Sequence, residues 1–268
     1  MTVTAARVYL DHNATTPLCQ PARDAMVAAM DCAGNPSSIH AEGRAARAMV
    51  EESREHVAHM IGCRARDVMW TSGATEANNW LLAATLSRGA KLLVSAVEHE
   101  SVLAPAVASG AAVIPVDGDG IVDPEALDEM LAASGPGTLV SVMAANNETG
   151  AIQPLDDIAA VVQGAGALLH VDAVQYAGKR DLHPVSALAD YLTLSAHKFG
   201  GPKGIGALVL CNPEAPEITA LMTGGGQERR KRAGTENVLG AVGFGVAAKM
   251  AVDRLADMPR QKDLRDGL

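Results

Sequence analysis

The chain has 268 residues, 48% of them hydrophobic but only 3% aromatic, and its formal net charge is −9. That length holds one large domain, or one domain plus part of another, with a core filled mainly by Ala, Val, Leu and Met. The acidic balance argues against a nucleic-acid partner, because phosphate backbones select clustered cations, and the scarcity of aromatics argues against base stacking. No stretch joins a charged n-region to an apolar h-region, and no apolar run reaches the roughly 18 residues of a membrane span. The expectation is a cytoplasmic protein with no membrane partner.

In chain order, Tyr9-Leu10-Asp11-His12-Asn13-Ala14-Thr15-Thr16-Pro17 reads as a short strand running into a turn. Asn35-Pro36-Ser37-Ser38 is a second turn cluster. Both suit an arm that packs on the main sheet or on a neighbouring subunit. Polar and apolar residues at helical spacing predict a helix over Ala41–Ile61. Seven short apolar runs then predict strands at Val68–Thr71, Lys91–Ala96, Ala112–Val116, Thr138–Ala144, Ala167–Val171, Tyr191–Ser195 and Gly206–Leu210. Helices are predicted at Glu76–Leu86, Pro124–Ala133, Leu155–Gly164 and Val238–Leu255. Asp123 serves as N-cap of the Pro124 helix, with proline at its first position. Strands alternating with helices define an α/β fold. The last residues, Gln261 to Leu268, read as the interior of a further helix with no stop signal.

Cys19, Cys32, Cys63 and Cys211 show no Cys-x-x-Cys pairing and read as scattered reduced thiols. His56 and His59 suit a solvated helix face better than a metal. The basic run Arg229-Arg230-Lys231-Arg232 suits either a solvated loop or a local anion or partner contact.

Polar clusters fall at the ends of successive strands. Thr71-Ser72-Gly73-Ala74-Thr75-Glu76 joins a strand to a helix, and N–H groups at a helix N-terminus hold phosphate. Glu98-His99-Glu100-Ser101, Asn146-Asn147-Glu148, Asp172 with Gln175, and Ser195-Ala196-His197-Lys198 follow. Strand ends are where open α/β sheets bind ligands, so five such clusters describe one crevice. Lys198 sits on a small-residue turn beside a hydroxyl and an imidazole, with a carboxylate from the preceding strand. That set suits a Schiff base to pyridoxal 5'-phosphate (PLP), with Asp172 paired to the pyridine nitrogen.

The ordered motifs, with Gly34-Asn35-Pro36-Ser37-Ser38 and His40, His170-Val171-Asp172-Ala173, Gly201-Pro202-Lys203-Gly204 and Arg232-Ala233-Gly234-Thr235-Glu236-Asn237, resemble the cysteine desulfurases (NifS/IscS-type) of the class V aminotransferases. The resemblance runs from about Tyr9 to the last residue and implies PLP fold type I, its large domain a mostly parallel seven-stranded sheet flanked by helices. It implies an N-terminal arm or small-domain segment over 1–14, a PLP-binding large domain over 15–250, and over 251–268 the start of a small domain that is largely missing. By position, Lys198 would carry the cofactor and move the substrate's α-proton. His99 would stack on the ring and share the catalytic work. Asp172 would pair with the pyridine nitrogen, and Gln175 and Asn147 would hold the phenolic oxygen and the substrate. Ala74, Thr75, Ser195 and His197 would bind the phosphate, and Thr235 would reach the phosphate of the other subunit of a homodimer.

The resemblance further implies conversion of L-cysteine to L-alanine, with the sulfur carried as an enzyme persulfide to an acceptor or scaffold protein for iron–sulfur cluster or thio-cofactor assembly. None of the four cysteines sits in the family's nucleophile motif, which is expected well beyond Thr235. His12 and Asn13 depart from the more common residues of the N-terminal motif. Two other readings stand beside this one: a PLP-binding, dimer-forming module without turnover, and a related PLP lyase or aminotransferase.

Overall fold

The computed structural model describes residues 8–267; Met1–Arg7 of the expected arm, and Leu268, lie outside the described residues. Short apolar runs form seven strands: β1 (Val68–Thr71), β2 (Leu92–Ser95), β3 (Ala112–Ile114), β4 (Leu139–Met143), β5 (Leu168–Asp172), β6 (Tyr191–Ser195) and β7 (Gly206–Leu210). Between and around them lie α1 (Gln20–Ala29), α2 (Ala41–Ile61), α3 (Ala74–Ser87), α4 (Glu100–Ala108), α5 (Pro124–Ser134), α6 (Leu155–Gly164) and α7 (His183–Leu188). The single irregular turn α8 (Gln227–Arg230), then α9 (Val238–Arg254) and α10 (Met258–Asp266), complete the described chain.

All seven strands join one sheet in the order β1-β7-β6-β5-β4-β2-β3. The pairs from β3 to β6 are parallel, whereas β7 runs antiparallel to both β6 and β1. Parallel strands must be covered on both faces, and they are. One face packs on α2, α5, α6 and α9 through Val57, Leu127, Ile158 and Phe244. The other packs on α3 and α4 through Trp80, Leu81, Val102 and Ala106. Each of the larger side chains among them, fully buried, contributes about 1.5–3 kcal/mol.

Three of the few aromatics cluster behind the Lys198 turn. Phe199 and Trp70 both lean on Phe244 of α9, with ring centroids 5.5 and 5.3 Å away. Gly178 has φ +73°, and a Cβ there would lie 2.5 Å from the Phe199 Cβ. The turn after β5 and the turn carrying Lys198 therefore close on each other only through glycine.

Three expectations change. Tyr9 and Leu10 form no strand; Tyr9 Oη instead donates to the backbone oxygens of Asp11 and Thr15 at 2.7 and 3.0 Å. Helices α1, α4 and α7 appear where none was predicted. Pro105 inside α4 hid that helix, and α7, with Pro184 in its first turn, is only six residues long and too short to show a helical period. Finally, α10 is a helix as expected, but it closes at Asp266 with Gly267 in the C-cap position. Among the described residues no helix is long and apolar enough to cross a membrane.

The edge strand β1 is finished by an ion pair. Glu228 Oε2 accepts from Trp70 N at 3.0 Å, and Arg54 Nη1 donates to the Val68 oxygen at 2.7 Å. Arg54 and Glu228, 4% and 8% exposed, meet each other at 2.8 Å. Glu228 reaches this spot from a left-handed backbone, φ +43°. Lys231 and Arg232 of the basic run are also engaged, with Glu217 and Glu76, each at 2.9 Å. Arg229 instead donates to the backbone oxygen of Arg66, so three of the four side chains in the run have partners within the fold. Removing one partner of a buried pair strands the other's charge, which costs about 3–5 kcal/mol. Arg54→Ala is expected to lower the unfolding free energy by about that much in urea titrations, and the double change Arg54→Leu with Glu228→Leu to recover only part of it, because Val68 C=O and Trp70 N–H then lose their partners.

Candidate active site

The strand ends β4, β5 and β6 and the N-terminus of α3 enclose a cavity of about 880 Å³. That size lies within the usual range of small-molecule clefts. Ala74, Thr75, His99, Asn147, Asp172, Gln175, Ser195, His197 and Lys198 all line it. Thr235 does not: it lines a separate, smaller cleft of about 240 Å³, and Ser72 and Gly204 border both.

Asp172 ends β5 at the floor of the cavity, 4% exposed. Burial pushes its carboxyl up from the ordinary value, opposed by the Asn78 and Val174 hydrogen bonds and by the Lys198 charge. Its Oδ2 accepts from Asn78 Nδ2 at 2.8 Å and its Oδ1 from Val174 N at 3.0 Å. Asn78 Nδ2 also lies 2.9 Å from Ser101 Oγ, which lies 2.8 Å from His99 Nδ1. The Ser101 N–H donates to the same Nδ1 at 3.0 Å, so Nδ1 is an acceptor and the neutral ring carries its proton on Nε2. A continuous polar chain therefore fixes both the carboxylate below and the imidazole beside the cavity. Asn78 has no place in the sequence motifs, and Ser101 enters them only as the last residue of the Glu98–Ser101 cluster. The signal for Asn78 was present: a polar residue among Ala77, Leu81 and Leu82 on the buried side of α3.

Lys198 stands half-buried on the short turn after β6. Burial lowers its affinity for a proton, while Asp172, Asp11 and Glu148 raise it. Its Nζ donates to the backbone oxygens of Asn13 and Ala14, the latter at 3.1 Å. Thr16 holds the turn from the same segment, its N–H donating to the His197 oxygen at 2.8 Å and its hydroxyl to the Lys198 oxygen at 3.0 Å. His197 Nδ1 lies 3.1 Å from Thr15 Oγ1, and burial and the Lys198 and Lys203 charges push the His197 ring down. The N-terminal segment thus folds over the site as a strap, which the sequence motif alone does not reveal.

Opposite the strap, α3 opens on Gly73 with no side-chain cap. Gly206 permits this: a Cβ there would lie 2.6 Å from the Gly73 carbonyl carbon. First-turn N–H groups of a helix lack intrahelical acceptors, so this end, with Lys203 and His197 nearby in the lining, suits an anion. The donor set fits PLP: an amine for its aldehyde, a buried carboxylate for its ring nitrogen, and free first-turn N–H groups of a helix for its phosphate.

Beneath the site lies a second buried chain. Glu98 Oε1 accepts from Met143 N at 2.5 Å, where β4 continues past its partner β2. Ser141 Oγ lies 3.4 Å from Glu98 Oε2 and 2.8 Å from His170 Nδ1, and His170 Nε2 lies 3.0 Å from Thr193 Oγ1. Burial, then the Asp172 charge, pushes Glu98 up to about 8, and burial pushes His170 down to about 3.

The family profile described as "Aminotransferase class-V" matches residues 8–263. The chain therefore belongs to the class V aminotransferases, a PLP-dependent family. It is 39% identical over 270 residues to a cysteine desulfurase IscS of Dictyoglomus turgidum, covering 97% of this chain and 68% of that one. It is 44% identical to a cysteine desulfurase of Cereibacter sphaeroides, covering 92% of this chain and 65% of that one. The structure of a NifS-like protein from Rickettsia africae superposes with a TM-score of 0.87 at 36% identity, over 93% of this chain and 70% of the other. Within the family, then, this chain groups with the IscS/NifS-like cysteine desulfurases, and its sheet corresponds to the large domain of their fold type I architecture. It spans about two thirds of the length of those relatives.

The sign of the Glu98 effect follows from linkage. A carboxyl that holds its proton more tightly folded than unfolded makes stability fall as pH rises between the unfolded value, about 4.3, and the folded one, about 8. Glu98→Gln keeps an acceptor for Met143 N and removes the titration. The variant's advantage in thermal melting is expected to grow steadily as pH rises from about 5 to 8. A difference that stays flat across that range refutes a tightly held Glu98 proton.

Proposed function

We propose that this cavity binds PLP covalently through Lys198 and acts on the amino acid L-cysteine. The carrying observation is that the Lys198 amine, the buried Asp172 carboxylate and the uncapped start of α3 open into one cavity. Bound PLP supplies an electron sink for charge developing at an amino acid's α-carbon. Asp172, held by Asn78 and the Val174 N–H, offers a carboxylate to the ring nitrogen and keeps it protonated. Ala74, Thr75, Ser195 and His197 hold the phosphate. Gln175 and Asn147 hold the phenolic oxygen and the substrate. His99, fixed at Nδ1 by Ser101, presents a flat ring and an Nε2 proton to the cavity. Lys198, when free, is the base that moves the α-proton, and its lowered proton affinity serves that role.

Sulfur transfer needs a thiolate, and none of the four cysteines lines the cavity. Burial pushes the Cys63 thiol up to about 12 and Cys211 higher still. These four side chains are unsuited to attack a bound substrate's sulfur. That observation supports a second reading, in which this chain by itself is a PLP-binding module that associates as a homodimer, with Thr235 serving the neighbouring subunit's site. In that reading, release of alanine, persulfide formation and delivery to an acceptor protein for cluster assembly are not performed by these four cysteines.

Adding PLP to the folded chain is expected to give the visible absorbance of lysine-linked cofactor, and Lys198→Ala to abolish it. A colourless wild type sinks the reading. Incubated with L-cysteine, the chain is expected to gain no persulfide on Cys19, Cys32, Cys63 or Cys211, as read by intact-mass spectrometry. A persulfide on any of the four would contradict that second reading.

A further inference from the structure

Lys179 is a second lysine beside Lys198 for which the proposed chemistry has no role. It follows Gly178 in the turn after β5 and is half-buried. Its Nζ lies 2.7 Å from Gln175 Oε1, and Gln175 Nε2 donates to the Asn13 oxygen at 2.9 Å. An amide can be turned either way, and its two ends are told apart only by their partners. An ammonium group has donors and no acceptor, so it accepts only the oxygen end. Lys179 therefore forces the nitrogen of Gln175 to the opposite side. That nitrogen and Lys198 Nζ both donate to the same Asn13 oxygen, so the directed N–H sits beside the reactive amine.

We propose that Lys179 is a positioning residue that locks the Gln175 amide with its donor toward Lys198 and adds a positive charge beside the cofactor linkage. The inference rests on the PLP reading, because the oxygen that profits from the directed N–H is the cofactor's phenolate. Turned the other way, Gln175 would set a carbonyl oxygen against that anion. The surrounding charges are mixed. Asp172, Asp11 and Glu148 favour a cation at Lys198, while His197 lies next to it and Lys203 acts on His197. Burial and the Lys198 charge both push Lys179 down, and the repulsion is mutual. Lys179 is thus a cation that disfavours a proton on the Lys198 nitrogen. A role limited to tying down the strap, through its 3.5 Å approach to Asn13 Oδ1, would leave the titration of the linkage untouched.

The test is a pH titration of the visible band of PLP-loaded protein, with PLP affinity from fluorescence, for wild type, Lys179→Met and Lys179→Arg. Lys179→Met is expected to raise the titration midpoint by about one unit and weaken PLP about tenfold. Lys179→Arg, also a donor-only cation, is expected to restore both. A wild-type midpoint and affinity in Lys179→Met overturn the inference, and so does an arginine variant as impaired as the methionine one. If Lys179→Met does not fold by circular dichroism, Lys179→Gln decides by the same midpoint, since it removes the charge and keeps a polar side chain. Failure of wild type to bind PLP brings down the PLP reading and this inference together. A coloured wild type with unmoved variants brings down this inference alone.

Discussion

Asp172 is a carboxylate at the end of a central strand, walled in by two helical layers, and such a group is tolerated only with partners arranged around it. Asn78 from α3 and the Val174 N–H supply them. Once Asn78 is committed to Asp172 and Ser101, the α3–α4 packing is pinned, and His99 is pinned with it. Two residues before Asp172 on β5, buried His170 is satisfied from the neighbouring strands by Ser141 of β4 and Thr193 of β6. Much of the site's geometry thus descends from one charge kept out of water.

The opposite wall is built by different means. Lys198 is carried on a turn wedged against the aromatic cluster of Phe199, Phe244 and Trp70. Its head group is held by backbone oxygens of a strap from the start of the described chain. The carboxylate is fixed by side chains of the sheet and helices, whereas the amine rests on a segment made mostly of exposed residues. A buried, side-chain-fixed wall on one side and an exposed, backbone-bonded cover on the other frame a cavity that holds a ligand in register.

The strands were legible because each is a short apolar run bounded by turn residues, and the parallel core makes such runs continuous rather than alternating. The strand-end clusters were legible for the same reason: when strands are placed correctly, the residues after them fall at one rim. Helix α4 was not legible, since Pro105 breaks the expected pattern yet is accommodated in the helix. Nor were the bonds that join distant segments. Arg54 and Glu228 are 174 residues apart and announce their pairing by no spacing rule. The strap over Lys198 looked like a strand because Tyr9 and Leu10 favour extended backbone. Its actual role depends on carbonyl groups, which no residue type advertises. Asn78 was recoverable in principle, as a polar residue on a buried helix side, but its partners lie 23 and 94 residues away.

The capped edge at β1 bears on how copies of this fold meet. A bare edge strand offers rows of unpaired N–H and C=O groups to any passing chain. Here Glu228 and Arg54 occupy those groups on β1, and at the far edge β3 is only three residues long. Both margins are therefore poor templates for sheet growth, one by its occupied groups and one by its length. Recognition of another molecule is thereby left to helices and loops, where side-chain shape and charge discriminate between partners far better than a repeating backbone does. The ion pair at the rim acts as a safeguard against indiscriminate association.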